Sequence, residues 1–112
     1  MPRNMSFMLT TEQVRNKTKT VTRRLGWWFI KPGDIVNAVE KCQGLKKGEK
    51  VKKIWQIRIL KTNPEYLTQI NKEDCIKEGF SDMTPSDFIL MFALSNKCTA
   101  DAKINRIEFE YI

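Results

Sequence analysis

Lys17-Thr18-Lys19-Thr20-Val21-Thr22-Arg23-Arg24 is the stretch on which the reading of this chain turns, with four cations and three threonines around a single valine. Half of its residues are β-branched, and such side chains lose rotamer freedom in a helix, so the segment is expected to be extended or turning. Its chemistry is as dense as its charge. Lys and Arg hold phosphate, and Thr hydroxyls donate to it or, beside a base, attack a carbonyl. A plain basic strand with Thr on its outer face has the same composition, so the residues alone leave both readings open.

Toward the N-terminus, Ser6 to Leu9 is expected to be a short strand, with Thr10 and Thr11 as alternative caps for a brief helix through Glu12, Val14 and Arg15. In the other direction, Trp27-Trp28-Phe29-Ile30 leads into Lys31-Pro32-Gly33-Asp34. Pro followed by Gly at the centre of a tetrapeptide predicts a type II turn, because Pro sets φ and Gly accepts a positive one. A strand should follow from Ile35 to Lys41. Gln43 to Lys50 carries two glycines and three lysines, Lys46, Lys47 and Lys50, and is expected to be an exposed basic loop. Ile54 to Leu60 alternates as a strand, with Trp55, Ile57 and Ile59 on one face and Gln56 and Arg58 on the other.

Beyond Leu60 the pattern changes. Asn71 can cap a short helix from Lys72 to Glu78 that Gly79 ends, and Thr84-Pro85-Ser86-Asp87 is a strong start for a second helix. That helix should run to about Ser95 with Phe88, Met91 and Phe92 inward. Ile107, Phe109 and Tyr111 alternate with Arg106, Glu108 and Glu110 in a closing strand. The order predicts an α+β domain: a small antiparallel or mixed sheet of about five to six strands, curled toward a barrel and covered by two or three short helices. A doubly wound parallel fold is excluded, since strands and helices do not alternate and no GxGxxG occurs.

Composition bounds the chemistry. The 112 residues suit one domain, residues 1–112, and 41% hydrophobic against 29% charged residues is enough for a core. There is no histidine, which excludes a His-based triad, a His metal site and a histidine pH switch within the chain. The net charge of +7 is unevenly placed. Residues 1–61 hold 15 Lys and Arg against four acids, a balance of +11, whereas residues 62–112 hold five against nine, a balance of −4. Such asymmetry fits a polyanion-binding face, with a merely solvated basic face as the plainer reading.

Cys42, Cys75 and Cys98 are odd in number and form no CxxC pair, so reduced thiols in a cytoplasmic protein are expected, and no structural zinc. No leader is evident, no window approaches a membrane span, and no membrane partner is expected.

Lys19-Thr20-Val21-Thr22-Arg23-Arg24, Lys31-Pro32-Gly33-Asp34, the strand from Ile35 to Glu40, the triplet Glu78-Gly79-Phe80 before a helix and the closing Ile107-Glu108-Phe109 together resemble the ASCH domain, a family of small PUA-like β-barrels. The resemblance spans roughly residues 6–111. Its signature is a Gly, a Lys two residues on and an Arg five further; Lys19 and Arg24 match, and Lys17 stands where Gly is expected.

The resemblance implies a cleft beside the barrel that binds RNA or a modified nucleoside, without a cofactor or metal. Lys17, Arg23, Arg24, Trp28, Lys46, Lys47 and Lys50 are its expected ligand-binding residues. One branch of the family, bacterial acetylcytidine amidohydrolase, implies a catalytic set of Lys19, Thr22 and Glu78: Thr22 the nucleophile, a neutral Lys19 the general base, Glu78 orienting them. A metal-independent ribonuclease is a third implied activity. RNA or nucleotide binding is the primary expectation, and acetylcytidine deacetylation the alternative.

Geometry sets a condition on that triad. On a flat strand Lys19 and Thr22 face opposite ways, so Lys19 must lie at a helix-to-strand junction. Glu78 can equally be an exposed acid at a helix end. Trp27 and Trp28, if on a strand, would put one indole in the core and the other outward for a base to stack on; both in the core is the plainer alternative.

Overall fold

The structure, a computed structural model, describes residues 2–41 and 47–112. Strand β1 (Arg3–Ser6) leads through a 3-10 turn (Met8–Thr10) into helix α1 (Thr11–Arg15), then β2 (Val21–Arg24), β3 (Ile35–Val39) and β4 (Lys53–Tyr66). A second 3-10 turn (Leu67–Gln69), α2 (Lys72–Lys77), α3 (Pro85–Asn96) and β5 (Lys103–Tyr111) complete the chain. The five strands form one mixed sheet in the order β1-β3-β4-β5-β2, in which only β1 and β3 are parallel.

The sheet curls into a half-barrel. Register shifts between Ala38 and Val39 and between Ile59 and Lys61 bend β3 and β4, since a bulge adds twist where the ladder is interrupted. Curling brings the two edge strands together, where Arg24 of β2 donates from Nη2 to the Ser6 carbonyl of β1 at 2.6 Å. That contact spans the gap a full barrel would close with a strand ladder.

Local chemistry explains most element boundaries. The type II turn is present: Asp34 N donates to the Lys31 carbonyl at 3.0 Å, and Gly33 takes φ 94°. Asn71 caps α2 by accepting from Asp74 N at 2.8 Å, and Thr84 and Asp87 exchange two bonds of 3.1 Å as a capping box on α3, with Pro85 at its first position.

Two expectations are corrected by tertiary pairing. The first strand is Arg3–Ser6 rather than Ser6 to Leu9, because its parallel partner β3 is reached by those residues. β4 runs on to Tyr66, held by β5 as far as Lys103. Pro64 is tolerated there because β3 pairs with β4 only as far as Arg58, leaving one side without a ladder. Trp27 and Trp28 lie on no strand; Trp27 takes φ 64° in a turn that Asn105 holds by donating to its carbonyl at 3.0 Å.

Two buried clusters share the sheet. Met5, Phe7, Val14, Ile57, Ile59, Ile107 and Phe109 fill the half-barrel, while Leu67, Ile70, Cys75, Phe88, Phe92 and Ile104 pack the helices against the far ends of β4 and β5. The candidate site lies where these two cores meet.

Candidate active site

Lys19 sits two residues before β2, in the connection from α1, and three backbone hydrogen bonds fix it. Its N–H and that of Thr18 donate to the Gln13 carbonyl, and the next N–H, of Thr20, donates to the Lys77 carbonyl at 2.8 Å. The Lys19 carbonyl accepts from the Tyr111 hydroxyl at 2.6 Å. Lys17 turns the chain at φ 65°, the left-handed region that a Gly adopts without steric cost, and its ammonium lies 4.4 Å from the Trp55 ring centroid. Lys19 thus lies at the helix-to-strand junction the triad requires.

The Lys19 side chain enters a cavity of about 440 Å³. Thr22, Arg24 and Glu78 line it with Lys19, and Phe7, Phe80 and Phe88 supply aromatic surface. Glu78 arrives from the C-terminal end of α2, just before Gly79, whose φ of 97° turns the chain away. Lys19 Nζ donates to Glu78 Oε1 and to the Glu78 carbonyl, both at 2.7 Å. Lys19 and Glu78 are each only 3% exposed. Burial pushes the Lys19 ammonium below its ordinary pKa; the Glu78 carboxylate pulls the other way, and the nearby Arg24 and Arg23 add to the fall.

Thr22, also buried, accepts a hydrogen bond from Arg24 Nε at 3.1 Å. That bond uses a lone pair and leaves the hydroxyl proton to be given elsewhere. The Arg24 guanidinium lies 4.8 Å from the Phe7 ring centroid, at the junction of the two sheet edges.

Gly79 makes a local prediction. A Cβ there would stand 2.8 Å from Gln13 Cγ and 2.9 Å from its Cβ, in addition to the cost of a positive φ. Gln13 also donates to the Gly79 carbonyl at 3.1 Å. Gly79→Ala is expected to lower stability by about 2 kcal/mol or more, read from the urea midpoint, with strain and overpacking both contributing. An unchanged midpoint would mean that the turn behind Glu78 is not rigid.

Arg23 lines the same cavity and is committed to an ion-pair cluster beneath it. Its side chain is 0% exposed, and its guanidinium bonds Glu78 Oε2 at 3.2 Å, Glu65 Oε1 at 2.7 Å and the Asp74 carboxylate. Arg106 grips Asp74 from the other side, through Nε at 2.9 Å and Nη2 at 3.0 Å. Arg23 therefore fixes the second oxygen of the carboxylate that holds Lys19. Glu65, Asp74 and Arg106 were not singled out in the sequence, for nothing local marks them; 42 and 51 residues separate Arg23 from its partners Glu65 and Asp74.

Hydrogen bonds from Arg106 and then Arg23 hold the Asp74 carboxyl down at about 2, from an ordinary 3.8. Between those values the unfolded chain binds the proton and the folded one does not, so the cluster's contribution is present above about pH 4 and lost as pH falls toward 2. Acid titration followed by circular dichroism should show Asp74→Asn removing part of this loss. An identical acid transition in that variant would exclude Asp74 as its source.

The other predicted residues lie apart. Trp28 is half exposed and lines neither this cavity nor the groove beside it. Lys47 and Lys50 are exposed, and Lys50 borders a small hollow with Glu40 and Glu49 instead. Lys46 and Cys42 lie outside the described residues. Cys75 is a buried free thiol whose pKa burial pushes up, and Cys98 is a half-buried one. Among the described residues no three His, Cys, Asp or Glu side chains are grouped to hold a metal ion; Glu65, Asp74 and Glu78 converge on Arg23. Nor is any helix among them long and apolar enough to cross a membrane.

The fold is that of the ASCH domain. An ASCH domain from Lactobacillus crispatus superposes on 97% of this chain, and 78% of its own, with a TM-score of 0.63 at 14% identity. A DUF984 protein from Enterococcus faecalis superposes on all of it, and 80% of its own chain, with a TM-score of 0.70 at 15% identity. No family model and no curated protein matches the sequence. The chain thus has an α+β fold like that of the ASCH domain, its five-stranded sheet curled into a half-barrel.

Proposed function

We propose that the cavity binds one nucleoside unit of RNA or a free nucleotide. One observation carries this reading: a cavity of about 440 Å³ combines aromatic walls from Phe7, Phe80 and Phe88 with polar groups from Lys19, Thr22, Arg24 and Glu78. That is the range of volume and the mix of surfaces that small-molecule sites have, apolar faces for a ring and a few fixed donors and acceptors for its edge. A solvated basic face, by contrast, needs no such hollow. Calorimetric titration with cytidine tests the reading: saturable one-to-one binding is expected, and the absence of binding at millimolar cytidine would reject it.

A second reading, hydrolysis of an acyl amide on cytidine, is favoured by the buried Lys19–Glu78 pair, since a lysine whose pKa burial lowers, held by a carboxylate in a cleft, is suited to act as a base. In that reaction Thr22 Oγ1 attacks the acyl carbonyl while its proton passes to neutral Lys19 Nζ. Lys19 returns the proton to the leaving amine nitrogen as the C–N bond breaks. Water then hydrolyses the acyl-threonine ester, releasing the acid and restoring the hydroxyl. Arg24 stands beside Thr22, suited to the oxyanion. Incubation with acetylcytidine separates the readings: deacetylation supports the second, and binding without turnover leaves only the first. Cleavage of a labelled RNA would point instead to the ribonuclease activity.

A further inference from the structure

Beside the cavity runs a shallow groove of about 750 Å³, bordered by Arg3, Trp27 and Phe29. Arg24 and Asn96 line both hollows, so the two meet at those side chains. The Arg3 guanidinium lies 4.7 Å from the Phe29 ring centroid, and the Trp27 and Phe29 rings are 5.3 Å apart and inclined by 33°. Phe29 is 55% exposed, an aromatic surface open to solvent. Met8 and Leu9 also border the cavity and are 64% and 59% exposed, an apolar part of its rim. A phosphodiester leaving the cavity over Met8 and Leu9 meets apolar side chains, whereas on the Arg24 side it meets a second guanidinium and an aromatic plane.

We infer that the groove is a second subsite, taking the nucleotide next to the one held in the cavity, so that the ligand is a single-stranded oligonucleotide rather than a free nucleoside. The inference rests on the nucleoside reading of the cavity. In this arrangement the linking phosphate lies between Arg24 and Arg3, and the neighbouring base stacks on Phe29. Stacking of this kind is tolerant of base identity, because every base has a π-face.

The test compares cytidine with the dinucleotides CpU and UpC on wild type, Phe29→Ala and Arg3→Gln. Phe29 and Arg3 are exposed, and a thermal melt checks that both variants are folded. At least one dinucleotide is expected to bind tenfold or more tightly than cytidine, with a salt slope steeper by about 0.7 for the added phosphate. Phe29→Ala should remove most of that gain while leaving cytidine affinity unchanged, and Arg3→Gln should flatten the extra salt slope. Equal affinity for cytidine and both dinucleotides would overturn the second subsite with the cavity reading intact. A Phe29→Ala loss shared equally by cytidine would overturn it too. Binding of no probe would remove the cavity reading and this inference together.

Discussion

Arg23→Ala is expected to lower the stability of the domain by about 3–5 kcal/mol, the largest effect of any single substitution at the site. The reason is what the arginine leaves behind. Glu65, Asp74 and Glu78 point their carboxylates at one guanidinium that is wholly shielded from solvent, and removing one partner of a buried ion pair leaves uncompensated charge in low dielectric. Arg106 still serves Asp74 and Lys19 still serves Glu78, so the loss falls mainly on Glu65. Urea denaturation of wild type, Arg23→Ala and Arg23→Ala/Glu65→Gln would check this, with the double variant recovering part of the loss. A drop of less than 1 kcal/mol in Arg23→Ala would show that the carboxylates find water or rearrange, and that Glu78 is not held as described.

Lys19→Met is expected to leave the fold largely intact and to abolish deacetylation, if the protein deacetylates acetylcytidine, by a factor of about 10² to 10⁴, the usual worth of a positioned acid–base group. An apolar side chain of similar length suits a position whose Nζ lies 6.0 Å from both the Phe7 and the Phe80 ring centroids. Glu78 retains Arg23. The pH dependence supplies a sharper readout. The neutral amine is the active form, so the rate should rise with pH through the lowered Lys19 pKa. Glu78→Gln removes the group that holds that pKa up, so its rate profile should move to lower pH. A Lys19→Met enzyme with wild-type turnover, or a Glu78→Gln profile shifted to higher pH, would contradict the assignment.

What could be read from the sequence was what local chemistry decides. The start of α3 was legible in Thr84-Pro85-Ser86-Asp87 and the end of α2 in Gly79, because caps and positive φ are set within four residues. The turn at Lys31-Pro32-Gly33-Asp34 was legible for the same reason. The first strand and the length of β4 were not, since both depend on partners distant in the chain. Neither was the difference between Arg23 and Arg24. Both line the cavity, but Arg23 is sealed among carboxylates from β4 and α2, and Arg24 joins the two sheet edges. The sequence showed two equal cations, and the sheet's curl distinguishes them. The +11 and −4 halves likewise meet in the interior, where Lys19 and Arg23 from the basic part find Glu65, Asp74 and Glu78 from the acidic part. Part of the apparent basic face is therefore consumed in folding.

The central claim is that the hollow between the two cores is a nucleoside site. Titration of the isotopically labelled protein with cytidine, followed by two-dimensional NMR, tests it most directly. The account predicts saturable shifts confined to the backbone and side chains of Phe7, Lys19, Thr22, Glu78, Phe80 and Phe88. Shifts confined to Lys47, Lys50 and their neighbours, or none at saturating cytidine, would contradict it.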